Sequence, residues 1–165
     1  MTPPLLRPPR ALAAQFLLLP AIVGAAPLSA ACERVWQASL KRLEAPQFHL
    51  VQTLEGDTVE TVKAGSRLLM RESAQQPWRS APAGIAPLRQ AVKQTAGWLQ
   101  RCEKLGAGET VEGAATDIYR FTLQTPMGTD PDNRVWIGRD NGLPYREEGG
   151  AARGTTRYTV IPRLP

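Results

Sequence analysis

Short runs of alternating apolar and polar residues recur along much of this chain. In residues 48–54, Phe48 and Leu50 fall on one side of the backbone, which is the two-residue period of a β-strand. Residues 58–63 and 66–72 follow after tight turns and have the same character. Three short strands joined by tight turns predict an antiparallel meander.

Two other segments have a helical period. Residues 32–44 predict a short amphipathic helix, which ends before Pro46 because the residue preceding a proline is pushed out of the helical region. A second helix is predicted from Pro87 to Cys102, since apolar residues line one side of that segment and proline suits the first helical position. Residues 73–87 have no period and predict a loop.

The last third of the chain predicts strands joined by turns. The tightest turn lies at Asp140-Asn141-Gly142, because Asn and Gly tolerate positive φ. The predicted strands are a short one at 109–112 and longer ones at 116–124, 134–138, 143–148 and 155–161. The whole pattern predicts an α+β fold with one antiparallel sheet of about seven strands, one face of which is solvated and the other covered by two helices.

The N-terminal segment has the pattern of a secretory signal peptide. Arg7 and Arg10 supply positive charge, residues 11–26 are mostly apolar, and small residues follow. A membrane-spanning helix is the alternative, but the apolar run of about 16 residues is shorter than the roughly 20 that a span requires. We therefore expect the segment 1–31 to be removed on export, which leaves a single domain at 32–165 in the periplasm without a transmembrane span.

Cys32 and Cys102 are the only cysteines of the chain. An oxidising compartment favours a disulfide between them, and in the chain-entropy model the closure of so long a loop contributes about 4 kcal/mol. Lipidation of Cys32 is the alternative, because Ser29-Ala30-Ala31-Cys32 is close to a bacterial lipoprotein signal and would make the protein membrane-anchored. The even number of cysteines favours the disulfide.

The composition excludes several classes of protein. One His and two Cys are too few for most zinc or iron–sulfur sites, so we expect neither a metal nor a cofactor. Without Arg7 and Arg10 the formal net charge falls from +5 to +3, and the remaining basic residues are scattered along the chain. This distribution argues against a nucleic-acid partner.

Candidate catalytic residues are few. His49 is the only imidazole, and the alternation places it on the outward side of its strand, where a solvent-facing or sheet-paired histidine is expected. Glu147 and Glu148 are adjacent, so on a strand they point to opposite faces and cannot act together on one substrate. The aspartates and asparagines of 130–141 lack the spacing of a calcium loop and suit turns. We therefore expect a protein without enzymatic activity.

Apolar side chains provide the strongest functional signal. Those expected on the covered side of the sheet, together with Trp98 of the second helix, form the predicted ligand-binding set: Phe48, Leu50, Leu54, Leu68, Met70, Trp98, Tyr119, Phe121, Leu123 and Tyr158. Trp36, Trp78 and Val160 are expected to point the same way. An ordinary packed core explains such a set, and so does a concave pocket for an apolar ligand.

The order of the predicted elements and three stretches of sequence resemble the LolA/LolB lipoprotein-carrier superfamily. The stretches are Phe48 to Leu54 after a short N-terminal helix, Tyr119 to Pro126 as a strand that ends in proline, and Arg134 to Pro144 as a strand, an Asp-x-Gly turn and a return strand. The likeness covers nearly all of 33–162 in order. It implies a strongly curved, incomplete antiparallel barrel whose open side is closed by helices.

Two functional hypotheses follow. In the first, which the resemblance implies, the protein is a periplasmic, non-enzymatic binder of an acyl chain or another apolar group on the concave face of the sheet. In the second, it is an interaction module of the cell envelope with a fully packed core, and its edge strands or the loop 73–86 contact another envelope protein.

Overall fold

In a computed structural model, which describes residues 27–164, two helices cover one face of a nine-stranded antiparallel sheet. The helices are α1 (Ala30–Glu44) and α2 (Ile85–Gln94), and a 3-10 turn at Thr95–Trp98 follows α2. The strands are β1 (Gln47–Leu54), β2 (Asp57–Ala64), β3 (Arg67–Arg71), β4 (Arg79–Ser80), β5 (Leu99–Val111), β6 (Ala114–Thr125), β7 (Gly128–Gly138), β8 (Pro144–Gly149) and β9 (Ala152–Arg157). Most of the predicted signal peptide, residues 1–26, lies outside the described residues.

The strands are hydrogen-bonded in the order β4-β3-β2-β1-β9-β8-β7-β6-β5. β1 therefore lies between β2 and β9, so the last strand of the chain returns beside the first. The sheet is curved and does not close, which leaves β4 and β5 as its edges. The predicted α+β class is confirmed, although the described part of the chain has nine strands rather than about seven.

The predicted first helix is confirmed as α1. The Ser29 side chain caps it by accepting a 3.2 Å hydrogen bond from the backbone N–H of Cys32. Val35, Ala38 and Leu43 are buried on the side that faces the sheet. This side packs against β5 to β8, which fixes α1 across the sheet.

The predicted second helix is too long. α2 ends at Gln94, and the segment from Leu99 to Cys102 belongs to β5 instead. Leu99 pairs with Leu123 of β6 and is 8% exposed, so sheet hydrogen bonds and core burial outweigh the helical period of this segment. Gly97, a poor helix former, lies in the 3-10 turn where the helix gives way.

Two predicted strands and the predicted loop at 73–87 also need correction. The short strand at 109–112 is the end of the 13-residue β5, whose register shifts three times against β6. The loop at 73–87 contains the two-residue edge strand β4. The final strand ends at Arg157 rather than at 161. Its last pair with β1 joins Arg157 to His49, and the Gln47 side chain donates to the carbonyls of Tyr158 and Thr159 beyond that pair, while Val160 is 70% exposed.

The two faces of the sheet differ in character. We call the face that packs against α1 and α2 the covered face, and the opposite one the open face. Strand register places Phe48 and Leu50 on the covered face and His49 on the open face. The covered face holds two apolar clusters, one under α1 and one under α2.

Candidate functional site

A cavity of about 430 Å³ lies on the covered face between the end of α1, α2 and strands β1 to β3. Its volume is within the range of small-ligand sites, roughly 300–1,000 Å³. The residues that line it are Arg42, Leu43, Phe48, Leu50, Gln52, Thr61, Leu68, Met70, Ala81, Pro82, Ala83, Leu88 and Val92. Most of these side chains are apolar, which suits an apolar ligand.

Strand alternation and register build the floor of this cavity. Phe48, Leu50 and Gln52 follow one another at two-residue spacing along β1. Leu50 pairs with Thr61 of β2, and Thr61 in turn pairs with Met70 of β3, so these side chains lie side by side. Phe48 is 2% exposed at the deep end, whereas Gln52 is exposed at the mouth.

Helix α2 forms the roof of the cavity and is weakly held. Ile85, Leu88 and Val92 pack against the cluster of Phe48 and Leu50, but no residue of α2 is buried. The N-terminus of α2 has no side-chain cap. An element with so little burial opens at lower free energy than the rest of a fold.

The other half of the covered face, under α1, holds a buried apolar cluster. Val35 and Ala38 of α1 meet Tyr119, Val135 and Ile137 of the sheet in one buried cluster. Ile137 is 1% exposed and Val135 is 3% exposed. None of these five residues lines the cavity, which lies beside α2.

An ion pair stands at the mouth of the cavity. Arg42 of α1 donates a hydrogen bond from Nη1 to Glu147 Oε2 of β8 at 2.5 Å, and their side chains are 16% and 30% exposed. Burial by itself would lower the pKa of Arg42, but the charge of Glu147 and its hydrogen bond outweigh that effect and raise it. Arg42 therefore keeps its charge beside an apolar space.

Gln52 lies close to this ion pair. It pairs with Gly154 of β9, and Gly154 pairs with Glu147 of β8, so the three residues lie in one row across the sheet. Gly154 contributes no side chain to the row, and a Cβ placed there would be 3.3 Å from Gln52 Cγ. The glycine thus leaves room for the Gln52 side chain beside Glu147.

Four of the predicted ligand-binding residues line the cavity, namely Phe48, Leu50, Leu68 and Met70. Tyr158 packs against the same cluster, and its hydroxyl donates to the carbonyl of Pro144 at 2.7 Å. Burial is the main reason that the pKa of Tyr158 is raised well above its usual value.

The structure does not bring the other five predicted residues into the cavity. Tyr119 is in the buried cluster under α1, and Phe121 and Leu123 line a separate depression of about 240 Å³ near the β8–β9 turn. Leu54 is 54% exposed because it is the last residue of β1, and Trp98 is 36% exposed in the 3-10 turn. Whether any of the ten binds a ligand stays a prediction.

Several residues that line the cavity are not in the set predicted from the sequence. Gln52 and Thr61 share a face with Leu50, so strand alternation is the signal that could have found them. The sequence around Arg42 does not indicate that it lines the cavity, because its partner Glu147 is 105 positions away. Residues 81–83 lie in the predicted loop, and their place at the cavity depends on how the chain turns into α2.

The predicted disulfide is formed between Cys32 and Cys102, whose Cα atoms are 5.0 Å apart. It joins the first turn of α1 to the edge strand β5. The bond fixes α1 at its N-terminal end, while the Arg42–Glu147 pair holds the other end. The Cys32 sulfur is therefore part of a disulfide and is not a free thiol.

A polar cluster is buried on the open face. His49 Nε2 and Glu60 Oε2 are 2.8 Å apart, and both residues are less than a tenth exposed. Arg71 donates from Nε to the other oxygen of Glu60 at 2.9 Å, and its guanidinium stacks on the indole of Trp78. His49 is on the outward side and sheet-paired, as predicted, but Trp78 lies beside it rather than on the covered side where we expected that indole.

Two further observations concern residues 27–164 only. They contain no group of three or more His, Cys, Asp or Glu side chains that could hold a metal ion. None of their helices is long and apolar enough to span a membrane.

Solved structures of two proteins share this fold. LppX, a lipoprotein of Mycobacterium tuberculosis, matches with a TM-score of 0.51 at 14% identity over 81% of this chain and 97% of its own. MucB in complex with MucA(peri) gives a TM-score of 0.51 at 18% identity over 83% of this chain, and MucB alone gives 0.51 at 18% over 84%. The chain spans 59% and 62% of those two MucB chains.

No protein-family model matches the sequence, and no curated protein matches it. At identities of 14% and 18% the likeness shows a shared fold. The fold that the resemblance implies, a curved antiparallel sheet that does not close and has helices on one face, is confirmed.

Proposed function

We propose that this chain, which has the LolA/LolB-like fold, is an exported, non-enzymatic protein that holds an acyl chain or another apolar group in the cavity beneath α2. The cavity itself is the observation that carries the proposal: an apolar space of about 430 Å³ under a helix with no buried residue. Burying an apolar group there contributes roughly 25 cal/mol per Å² of surface removed from water.

The uneven packing of the covered face supports this function. The half under α1 contains a buried apolar cluster and is tied by a disulfide, so it acts as a rigid frame. The half under α2 leaves space, and the roof can move without breaking the buried cluster of α1. An apolar ligand would then enter by displacement of α2, and its release would need a partner, because exposing it to water is unfavourable.

A binding experiment with a matched pair of variants tests this proposal. N-phenyl-1-naphthylamine, an uncharged apolar dye that fluoresces in apolar surroundings, is titrated against the protein and then displaced with lauroyl glycerol. Thr61→Phe fills the cavity from β2 and should abolish saturable binding, whereas Thr58→Phe, on the opposite face of the same strand, should leave it intact. No saturable binding to the unmodified protein would reject the proposal.

Thermal unfolding of both variants is the control for this experiment. Thr61 and Thr58 are both half-buried residues of β2, so the two substitutions place the same side chain on the same strand. A loss of binding that accompanies equal loss of stability in both variants would point to misfolding rather than to a filled cavity.

The second candidate is an interaction module of the envelope, and one observation favours it. β5 is a 13-residue edge strand, which offers unpaired backbone groups to another chain. MucB, which shares the fold, has been crystallised with MucA(peri). Failure to bind dye or lipid, together with a partner that co-purifies from the envelope, would favour this candidate.

We propose that the protein works in the periplasm after removal of its signal peptide. Its disulfide suits an oxidising compartment and leaves no free thiol at Cys32 for lipidation. Mass spectrometry of the mature protein tests this part. Acyl groups on Cys32 would contradict it and would favour a membrane-anchored lipoprotein.

A further inference from the structure

A second depression lies on the open face of the sheet. We call it the open-face groove. It has a volume of about 560 Å³ and lies between β1, β8, β9 and the end of the β5–β6 hairpin. The guanidiniums of Arg146, Arg153 and Arg157 line it, together with the carboxylates of Glu112 and Glu148. None of these five side chains lines the cavity beneath α2, because the sheet lies between the two spaces.

Strand alternation brings the three arginines together. Arg153 and Arg157 are four residues apart on β9, so they share a face and lie about 13 Å apart along the strand. Arg146 of β8 pairs with Thr155, which is the residue of β9 between them on the same face. The buried indole of Trp136 lies under the Arg146 guanidinium at 4.7 Å, so this cation is held in a set position.

Carboxylates of the β5–β6 hairpin occupy two of the three guanidiniums. Arg157 donates from Nε to Glu112 Oε1 at 3.0 Å, and Arg146 donates from Nη1 to Glu109 Oε1 at 2.6 Å. No residue from 109 to 115 is buried. Little burial therefore opposes a movement of the hairpin end away from the groove.

Arg153 has no such partner. Within residues 27–164 it makes no hydrogen bond and no ion pair. Its neighbour in register on β8, Glu148, directs its carboxylate to Arg146 instead. If the hairpin end moved away, three guanidiniums would face Glu148 alone, and the groove would have a net positive charge. Guanidiniums in such a setting bind carboxylates through paired N–H donors.

We infer that the open-face groove binds an acidic peptide segment in an extended conformation, and that Glu109 and Glu112 are built-in competitors that this segment replaces. The hairpin indicates the class of partner, because it already presents carboxylates to these arginines from a β-hairpin backbone. Alternate residues of an extended peptide lie about 7 Å apart on one face, so carboxylates four residues apart match the spacing of Arg153 and Arg157. The site lies outside the cavity of the proposed function and does not depend on it.

Two octapeptides with blocked ends test the inference on the unmodified protein. One alternates glutamate with threonine, and in the other glutamine replaces glutamate. The Nε–Hε signals of the arginines in NMR spectra report binding at the groove itself. We expect a saturable shift of the Arg153 signal with the glutamate peptide and none with the glutamine peptide. If both peptides shift that signal equally, or neither does, the inference is overturned.

Inorganic phosphate is the third ligand of this titration. An acidic peptide that spans the groove should bind more tightly than a single small anion, because it contacts more than one arginine. Phosphate that shifts the Arg153 signal at the same concentration as the peptide would indicate a small-anion site and would overturn the assignment of a peptide.

Removal of a competing carboxylate should strengthen binding. Glu112→Asn is expected to lower the dissociation constant of the glutamate peptide about threefold, and asparagine suits the positive φ of 49° at this turn position. Glu55→Asn is the matched control. Glu55 has a φ of 52° before Gly56 in the turn between β1 and β2, and it does not line the groove. Equal affinities of these two variants would overturn the competitor role.

Loss of the unpaired guanidinium should weaken binding. Arg153→Gln is expected to raise the dissociation constant about tenfold, because it removes a charged hydrogen-bond partner of the peptide. Arg120→Gln removes a half-exposed arginine of β6 that lies outside the groove and should leave the affinity unchanged. Equal effects of the two substitutions would overturn the site. The backbone amide signals of the same spectra show whether each variant is folded, and the comparison of peptides on the unmodified protein decides the case without any variant.

Discussion

The guanidinium of Arg71 lies over the indole of Trp78, with its central carbon 4.5 Å from the ring centroid. Trp78 belongs to the connection between β3 and α2, which crosses from one face of the sheet to the other. The indole covers His49 on the open face, whereas residues 81–83 of the same connection line the cavity on the covered face. This stacking therefore holds the segment that leads into the roof of the cavity.

Trp78→Ala should loosen that connection. The loss of the cation–π contact and of the cover over His49 and Glu60 is expected to lower the free energy of unfolding by about 1–2 kcal/mol. Amide exchange of Arg79 and Ser80 should accelerate as well, because β4 loses its anchor. Trp98→Ala removes the same side chain from an exposed position and is the control, so equal effects of the two substitutions in urea unfolding would contradict this role of Trp78.

The disulfide should supply a large part of the stability. Cys32 and Cys102 are 70 positions apart, and removal of such a bond by the double substitution to Ser is expected to lower the free energy of unfolding by about 2–5 kcal/mol. A reductant should destabilise the unmodified protein by a similar amount and leave the double variant unchanged. A reductant that has no effect on the unfolding of the unmodified protein would contradict this contribution of the disulfide to stability.

Asp117 should make the free energy of unfolding depend on pH in the acid range. A hydrogen bond from Lys104, then the charges of Lys104 and Arg139, hold the pKa of Asp117 below its ordinary value of 3.8. Because the folded pKa is the lower one, the stabilisation is fully present above the unfolded pKa and is lost as the pH falls through the folded pKa.

Unfolding midpoints of the unmodified protein and of Asp117→Asn, measured from pH 6 down to pH 2, test this expectation. The difference between the two should be constant above about pH 5 and should shrink below about pH 4. A difference that stays constant down to pH 2 would mean that Lys104 and Arg139 do not stabilise the ionised form of Asp117.

Helix α2 should exchange its amides faster than α1. α1 buries five residues against the sheet, whereas α2 buries none, and the indole Nε1 of Trp36 donates to the carbonyl of Val92 at 3.0 Å as a bond between the two helices. Trp36→Phe removes this bond and should accelerate exchange in α2 more than in α1. Hydrogen–deuterium exchange read by mass spectrometry checks both statements, and equal protection of the two helices would contradict them.

The sequence predicts the elements that depend on local period and misses those that depend on distant partners. Phe48 and Leu50 could be placed because strand alternation is a two-residue signal. The apolar spacing around Leu99 predicts a helix, and only its pairing with Leu123 shows that it belongs to the sheet.

The same limit applies to the candidate site. The disulfide was predictable because only two cysteines exist, so the pairing has a single solution. The Arg42–Glu147 pair was not predictable, because it joins α1 to β8 across 105 positions. Each residue alone has the pattern of a charged side chain exposed to solvent. The cavity likewise depends on how loosely α2 packs, which no local pattern encodes.

The central claim is that the space under α2 receives the ligand while the half under α1 stays packed. Methyl-resolved NMR during a titration with lauroyl glycerol tests it most directly, because Leu68, Leu88 and Val92 report on the cavity and Val135 and Ile137 report on the buried cluster under α1. We predict saturable shifts of the first three methyl groups and none of the last two. Shifts confined to Val135 and Ile137, or no shift at any lipid concentration, would contradict the claim.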